Sequence, residues 1–194
     1  MNKNKDITAF IIAGGKSARF GQDKLLFKYK GLTLIEHVVN VLKNVFSEIF
    51  IVANDKDKFS FLNLPIFPDI IPDLGPIGGI YTALNNSNTN KAFCFASDLP
   101  FLSSKLIKYM ISISNEHDII VPFINGFYEA MHAIYTKNCT HHIKSGIESR
   151  EYQITKLYDK CNIKKVTESE IIKYTDPGTV FKNINYIEDL DQFT

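Results

Sequence analysis

Residues 7–26 read ITAFIIAGGKSARFGQDKLL, and this stretch decides the fold. Ile7 to Ala13 is a continuous apolar, β-favouring run with one Thr, the composition of a strand buried on both faces in the middle of a parallel sheet. The run stops at Gly14-Gly15, and a loop follows that carries Lys16, Ser17, Arg19, Gly21, Asp23 and Lys24. Glycines let a backbone turn sharply and bring its N–H groups close to an anion. Arg grips such an anion bidentately, and Lys meets it as a point charge. The combination fits phosphate binding at the C-terminal end of the first strand, where open α/β sheets place their ligands. An ordinary strand-to-loop turn with solvated cations uses the same residue types. Two familiar phosphate loops do not fit. Gly15-Lys16-Ser17 resembles the end of a Walker A loop, but that pattern needs Gly where Phe10 stands. The dinucleotide fingerprint needs Gly-x-Gly, whereas Gly14 and Gly15 are adjacent.

Outward from this loop, Thr33 to Phe46 is predicted to be an amphipathic helix. Leu34, Ile35, Val38, Val39, Leu42, Val45 and Phe46 fall on one face, and Thr33 with Glu36 forms a capping box. His37 reads as a surface or packing residue. Glu48 to Ala53 is the second strand, ended by Asn54-Asp55. Pro65 to Gly79 reads as loop, with Pro68-Asp69, Pro72-Asp73 and Gly75-Pro76-Ile77-Gly78-Gly79 leading into a short helix through Leu84. Asp69 and Asp73 suit simple turns beside Pro. The Gly-Pro cluster suits a bare backbone laid against something flat or bulky. Lys91 to Ser97 is a third buried strand, and it ends at Asp98. A carboxylate at that tip suits a divalent cation bridging phosphates, or the cap of a turn before the helix Ser103–Ser114. Farther on, Asp118–Pro122 and Ala130–Tyr135 read as strands, and Lys137–Glu148 and Tyr152–Lys160 as helices.

Ala13-Gly14-Gly15-x-Ser17-x-Arg19-Phe20-Gly21-x-Asp23-Lys24 resembles the loop of GT-A-like nucleotidyltransferases. Within them it is most similar to that of the molybdenum cofactor guanylyltransferases, with Ile12 for the usual Leu and Phe20 for the usual Met. The Gly-Pro cluster resembles the same family's Gly-Pro-Leu-x-Gly, and Asp98-Leu99-Pro100 its Asp-x-Pro. Phe181-Lys182-Asn183-Ile184-Asn185 resembles its closing motif, although Tyr186-Ile187 replace Thr-Pro before Glu188-Asp189-Leu190. The resemblance runs from Ile7 to Leu190 and implies transfer of GMP from GTP to the phosphate of molybdopterin or the molybdenum cofactor, releasing pyrophosphate. It also implies roles. Ile12, Ala13, Gly14 and Gly15 hold GTP together with Lys24, Asp69 and Asp98. Lys24 and Arg19 stabilise phosphate charge, and Asp98 binds Mg²⁺, or Mn²⁺ in its place. Contacts with cofactor-synthesis proteins or molybdoenzymes would be transient. A cytidylyltransferase of the same cofactor, or another small-phosphate nucleotidyltransferase, shares fold and loop. A nucleotide-binding regulator would keep the glycines while losing Asp98 or Lys24.

The strand–helix alternation predicts a three-layer α/β, Rossmann-like domain with a mainly parallel sheet, spanning residues 1–194 as one unit. A net charge of +1 argues against a nucleic-acid surface, and no apolar run reaches the ~18 residues of a membrane span. Without a signal peptide at the N-terminus, the cytoplasm is the expected location. Cys94, Cys139 and Cys161 are widely spaced and suggest neither a disulfide framework nor a zinc site. His141-His142 are neighbours expected to diverge on a helix, which disfavours a shared metal.

Overall fold

In the computed structural model the opening run forms strand β1 (Ile7–Ile12), with all six residues buried. The structure describes residues 3–14, 23–184, 186 and 189–190; Gly15, Lys16, Ser17, Arg19, Gly21 and Asn185 lie outside the described residues. β2 (Lys28–Tyr29) and β3 (Leu32–Thr33) make a small hairpin, turned by Lys30 and Gly31 at φ 48° and 87°. α1 (Leu34–Lys43) follows, capped as its sequence requires. The Thr33 hydroxyl accepts from the Glu36 amide at 3.3 Å, and the Glu36 carboxylate accepts from the Thr33 amide at 2.7 Å. The helix ends at Lys43 rather than Phe46, because the chain turns there to drive Val45 and Phe46 into the core.

The remaining elements come in order: β4 (Ile49–Val52), β5 (Ile66–Phe67), α2 (Pro76–Asn86), β6 (Lys91–Ala96) and α3 (Ser104–Ser112). Then come β7 (Ile119–Ile124), β8 (Phe127–Tyr128), β9 (His132–Thr136), α4 (Cys139–Glu148) and α5 (Ile154–Tyr158). β10 (Ile163–Thr167), α6 (Glu168–Ile171) and α7 (Pro177–Val180) close the order. The main sheet runs β10-β7-β9-β6-β1-β4-β5, with β8 paired to β7. β9 and β8 run against the rest; the other strands are parallel to β1. The predicted three-layer domain with a mainly parallel sheet is the observed one.

Alternation along each strand feeds two cores. Ile7, Ala9 and Ile11 of β1 join Phe93 and Phe95 of β6 under α1 and α3. Phe10 and Ile12 join Ala92 and Cys94 on the other face, under α2, α4 and α5. This is the period-two arithmetic of a strand buried on both sides.

One expectation is corrected here. The segment Pro65–Gly79 is not loop throughout: Ile66–Phe67 pairs with β4, and Gly78 and Gly79 are buried inside α2. A Cβ on Gly79 would stand 2.5 Å from Ile12 Cγ2, and one on Gly78 would stand 3.0 Å from Leu74 Cβ. These two glycines let α2 approach β1 and its own preceding turn, so they serve packing rather than a flat ligand. Gly75 differs: it sits at φ 64° with open space beside it and begins α2 at the mouth of a cavity.

Candidate nucleotide site

The C-terminal ends of β1, β4, β5 and β6 open into one cavity of about 610 Å³, a size suited to a small-molecule ligand. Ile12 and Gly14 come from the tip of β1, Asn54 from the turn after β4, and Asp69 from the turn after β5. Ser97 and Asp98 follow β6, while Gly75 and Pro76 start α2 on the opposite wall. The N-terminal turn of α2 turns the positive end of a helix dipole toward this wall, which favours an anion there. A groove of about 690 Å³ lies at the other end of the sheet, lined by Lys3, Lys5, Asp6 and Lys108, and contains none of the expected site residues.

Asp98 and Lys24, 74 positions apart, meet across this cavity mouth. Lys24 Nζ donates to Asp98 Oδ2 at 2.9 Å, with side chains 13% and 27% exposed. Lys24 is held from behind. The Asp23 carboxylate caps the short 3-10 turn Lys24–Leu26 by accepting from the Leu25 amide at 3.1 Å, and Lys58 is ion-paired to Asp23. Asp23 therefore positions the lysine beside it, which explains an acidic residue in an otherwise cationic loop.

Asp69 is fixed by a reciprocal pair of hydrogen bonds. Asn54 Nδ2 donates to Asp69 Oδ2 at 3.0 Å, and the Asp69 amide donates to Asn54 Oδ1 at 2.9 Å. Partial burial pushes the Asp69 carboxyl above its ordinary value; the Asn54 bond opposes this, and the nearby Asp73 carboxylate reinforces it. A Cβ on Gly14 would come within 4.0 Å of Asp69 Oδ2, so the tip of β1 and Asp69 face one another. Ala13, between Ile12 and Gly14, is buried and donates its amide to the Val52 carbonyl at 2.9 Å.

A second cavity of about 460 Å³ lies beyond β9 and is lined by Glu129, Asp176, Phe181, Lys182 and Asn183. It adjoins the first through backbone contacts: the Ile184 amide donates to the Asp98 carbonyl at 3.3 Å, and the Ala96 amide to the Met131 carbonyl at 2.7 Å. Burial raises the Glu129 carboxyl. His132, at the start of β9, lies between the aromatic rings of Phe93, Phe95 and Phe181 with no partner among the described residues on either ring nitrogen. Burial holds its imidazole down at about 3, so it is a neutral core residue.

The structure thus brings together Ile12, Ala13, Gly14, Lys24, Asp69 and Asp98 of the expected set, whereas Gly15 and Arg19 lie outside the described residues. Sequence reasoning left Asn54 without a role and missed the bracing by Lys58. No group of three or more His, Cys, Asp or Glu able to hold a metal occurs among the described residues. A lone carboxylate such as Asp98 nevertheless fits Mg²⁺, which takes one or two protein carboxylates and fills its octahedron with phosphate oxygens and water. The His141 and His142 rings do not diverge as expected; their centroids are 3.7 Å apart, without a third ligand among the described residues.

Comparison with known proteins agrees with this fold. A protein of Natranaerobius thermophilus named "Probable molybdenum cofactor guanylyltransferase" is 36% identical over 193 residues, covering 96% of this chain and 94% of its own. A solved structure from Aquifex aeolicus is 33% identical with a TM-score of 0.76, covering 91% of this chain and 92% of that one. The structure of molybdopterin-guanine dinucleotide biosynthesis protein A from Archaeoglobus fulgidus shares the fold, with a TM-score of 0.81, 95% coverage of both chains and 20% identity. The MobA-like NTP transferase domain matches residues 9–162, most of the chain, and takes in most of β1 with Lys24, Asp69 and Asp98. The chain is a nucleotidyltransferase that belongs to the MobA-like NTP transferase family.

Proposed function

We propose that this protein transfers GMP from GTP to the phosphate of molybdopterin or its molybdenum-loaded form, releasing pyrophosphate and leaving a guanine dinucleotide cofactor. The observation that carries the reading is the Lys24–Asp98 pair: Asp98 lines the cavity walled by Gly14, Asp69 and Gly75, and its carbonyl is bonded by the Ile184 amide, next to Asn183 of the second cavity. GTP occupies the first cavity and the acceptor the second, so the α-phosphate and the attacking phosphate meet beside Asp98. The relatives' names support the choice of substrates.

The acceptor is a phosphomonoester with a second pKa near ~6, largely dianionic at neutral pH, and needs no protein base to attack. The protein supplies alignment and charge. Ile12 to Gly15 cradle the phosphates, Lys24 and Arg19 neutralise them, and Asp69, clamped by Asn54, binds the nucleotide. Asp98 holds Mg²⁺, or Mn²⁺ in its place, and the ion supplies charge neutralisation on the phosphate oxygens. Guanine rests on Gly75, whose bare backbone faces the cavity, since Gly78 and Gly79 are committed to packing. The reaction belongs to one domain over residues 1–194, working in the cytoplasm; no helix of the described residues is long and apolar enough to cross a membrane.

The test is transfer of label from α-labelled GTP or CTP to purified molybdopterin with Mg²⁺. Label from GTP alone is expected in the dinucleotide product. Transfer from CTP instead assigns a cytidylyltransferase, and tight GTP binding without transfer assigns a regulator.

A further inference from the structure

Cys139 and Cys161 stand 22 positions apart, in two segments that the residue order does not link, yet their sulfurs lie 3.8 Å from one another. Cys139 opens α4 and is fully buried, with its Sγ donating to the Asp118 carbonyl at 3.6 Å. Cys161 sits in the turn between α5 and β10 and is partly exposed. Both lie at the end of the sheet away from Asp98, since Thr136 at the close of β9 pairs with Lys91 at the start of β6. The third cysteine, Cys94, is buried within β6.

We propose that Cys139 and Cys161 form a reactive dithiol site, which closes to an intramolecular disulfide by exchange with a low-molecular-weight disulfide. A gap of 3.8 Å is van der Waals contact between sulfurs, and a disulfide bond is shorter by less than ~2 Å, within reach of a side-chain rotation. The two thiols have different parts. The contact with Cys161 and burial together raise the Cys139 thiol, whose proton is turned to the Asp118 carbonyl; the same contact holds Cys161 below the usual thiol range. Cys161 is therefore both the more exposed sulfur and the better thiolate.

The Cys161 thiolate attacks one sulfur of the external disulfide, forming a mixed disulfide and expelling one thiolate. Cys139 then loses its proton to solvent and attacks the Cys161 sulfur, expelling the second thiolate. Two protein thiols are oxidised, one external disulfide is reduced to two thiols, and no other reactant is needed. The bond would tie the start of α4 to the turn before β10, enclosing both helices that pack on α2 through Ile143 and Leu157.

The test equilibrates the reduced full-length protein with oxidised glutathione without oxygen, traps thiols by alkylation and reads intact mass and linked peptides. Wild type is expected to become two hydrogens lighter, with Cys139 joined to Cys161, and to melt about 7–13 °C higher from loop-closure entropy. Dithiothreitol should reverse both changes. Cys94→Ser should behave as wild type, and Cys161→Ser should take up no glutathione and show no rise. A lasting glutathione adduct on wild type, no reaction at any glutathione ratio, or a bridge through Cys94 would overturn the proposal.

Discussion

Asp98→Asn removes the charge from one side of the Lys24 pair and has two separable consequences. The first concerns the nucleotide-free protein. A charge-assisted hydrogen bond contributes about 1.5–3 kcal/mol. With side chains 13% and 27% exposed, solvent screening brings the expected loss to about 1–2 kcal/mol. For a domain of this size that lowers the melting temperature by about 2–8 °C. Lys24→Met should cost a similar amount, and the double variant less than the sum, with a coupling of about 1–2 kcal/mol. The second consequence is catalytic: Asp98→Asn should reduce turnover per folded molecule by roughly 10²-fold or more, because charge stabilisation in the transition state is lost. Urea unfolding of the four proteins measures the first, and initial rates at saturating substrates measure the second. Strict additivity in urea would mean that the ion pair does not exist in solution. Near-full turnover in Asp98→Asn would reduce the residue to a turn former.

Three other outcomes follow from the structure. Gly79→Ala gains about 1 kcal/mol of helix propensity but forces a methyl to 2.5 Å from Ile12 Cγ2, so it should destabilise by about 1–2 kcal/mol net and weaken GTP binding; with Ile12→Ala added, thermal melts should show a loss smaller than the sum of the two single changes. Asn54→Ala frees Asp69 from both bonds and should raise the KM for GTP about 10-fold with little change in melting temperature, and Asn54→Asp should do no better, since a carboxylate cannot donate to Asp69. His132 binds a proton far more weakly folded than unfolded, so its contribution to stability is full above pH 6.5 and is lost as pH falls toward about 3. Between pH 7 and 5 that amounts to about 2 kcal/mol, and urea unfolding of His132→Leu should lack this part of the acid slope.

What could be read from residue order follows from how local each signal is. The Thr33–Glu36 capping box, the two-sided burial of Ile7–Ile12 and the placing of Asp98 at a strand tip need only short-range patterns, and the structure has them. The Asn125-Gly126 hairpin turn, at φ 51° and 84°, carried an equally local Asn-Gly signal, although β8 was not drawn from it. Other features depend on register between distant segments. Asn54 clamps Asp69 because β4 and β5 pair Val52 with Phe67, which sets the two following turns side by side. Lys24 meets Asp98 only because β1 and β6 are neighbours. Gly78 and Gly79 look like ligand-facing glycines in a string of letters, and only their distances to Leu74 and Ile12 assign them to packing.

The reversed strand β9 also has a consequence for biosynthesis. β6 and β7 run the same way but do not touch, and the crossover through α3 leaves a slot one strand wide between them. As the chain leaves the ribosome, the free edge of β6, with Phe93, Cys94 and Phe95 along it, has no hydrogen-bonding neighbour until Thr136 has been made. β7 cannot join the sheet until β9 slides in between, and β10 can join only through β7. The nascent first half is therefore an open-edged sheet, a species prone to pairing with other chains. Closure of that slot, rather than formation of the nucleotide cavity, is the step at which a chaperone that shields strand edges would matter most for this chain.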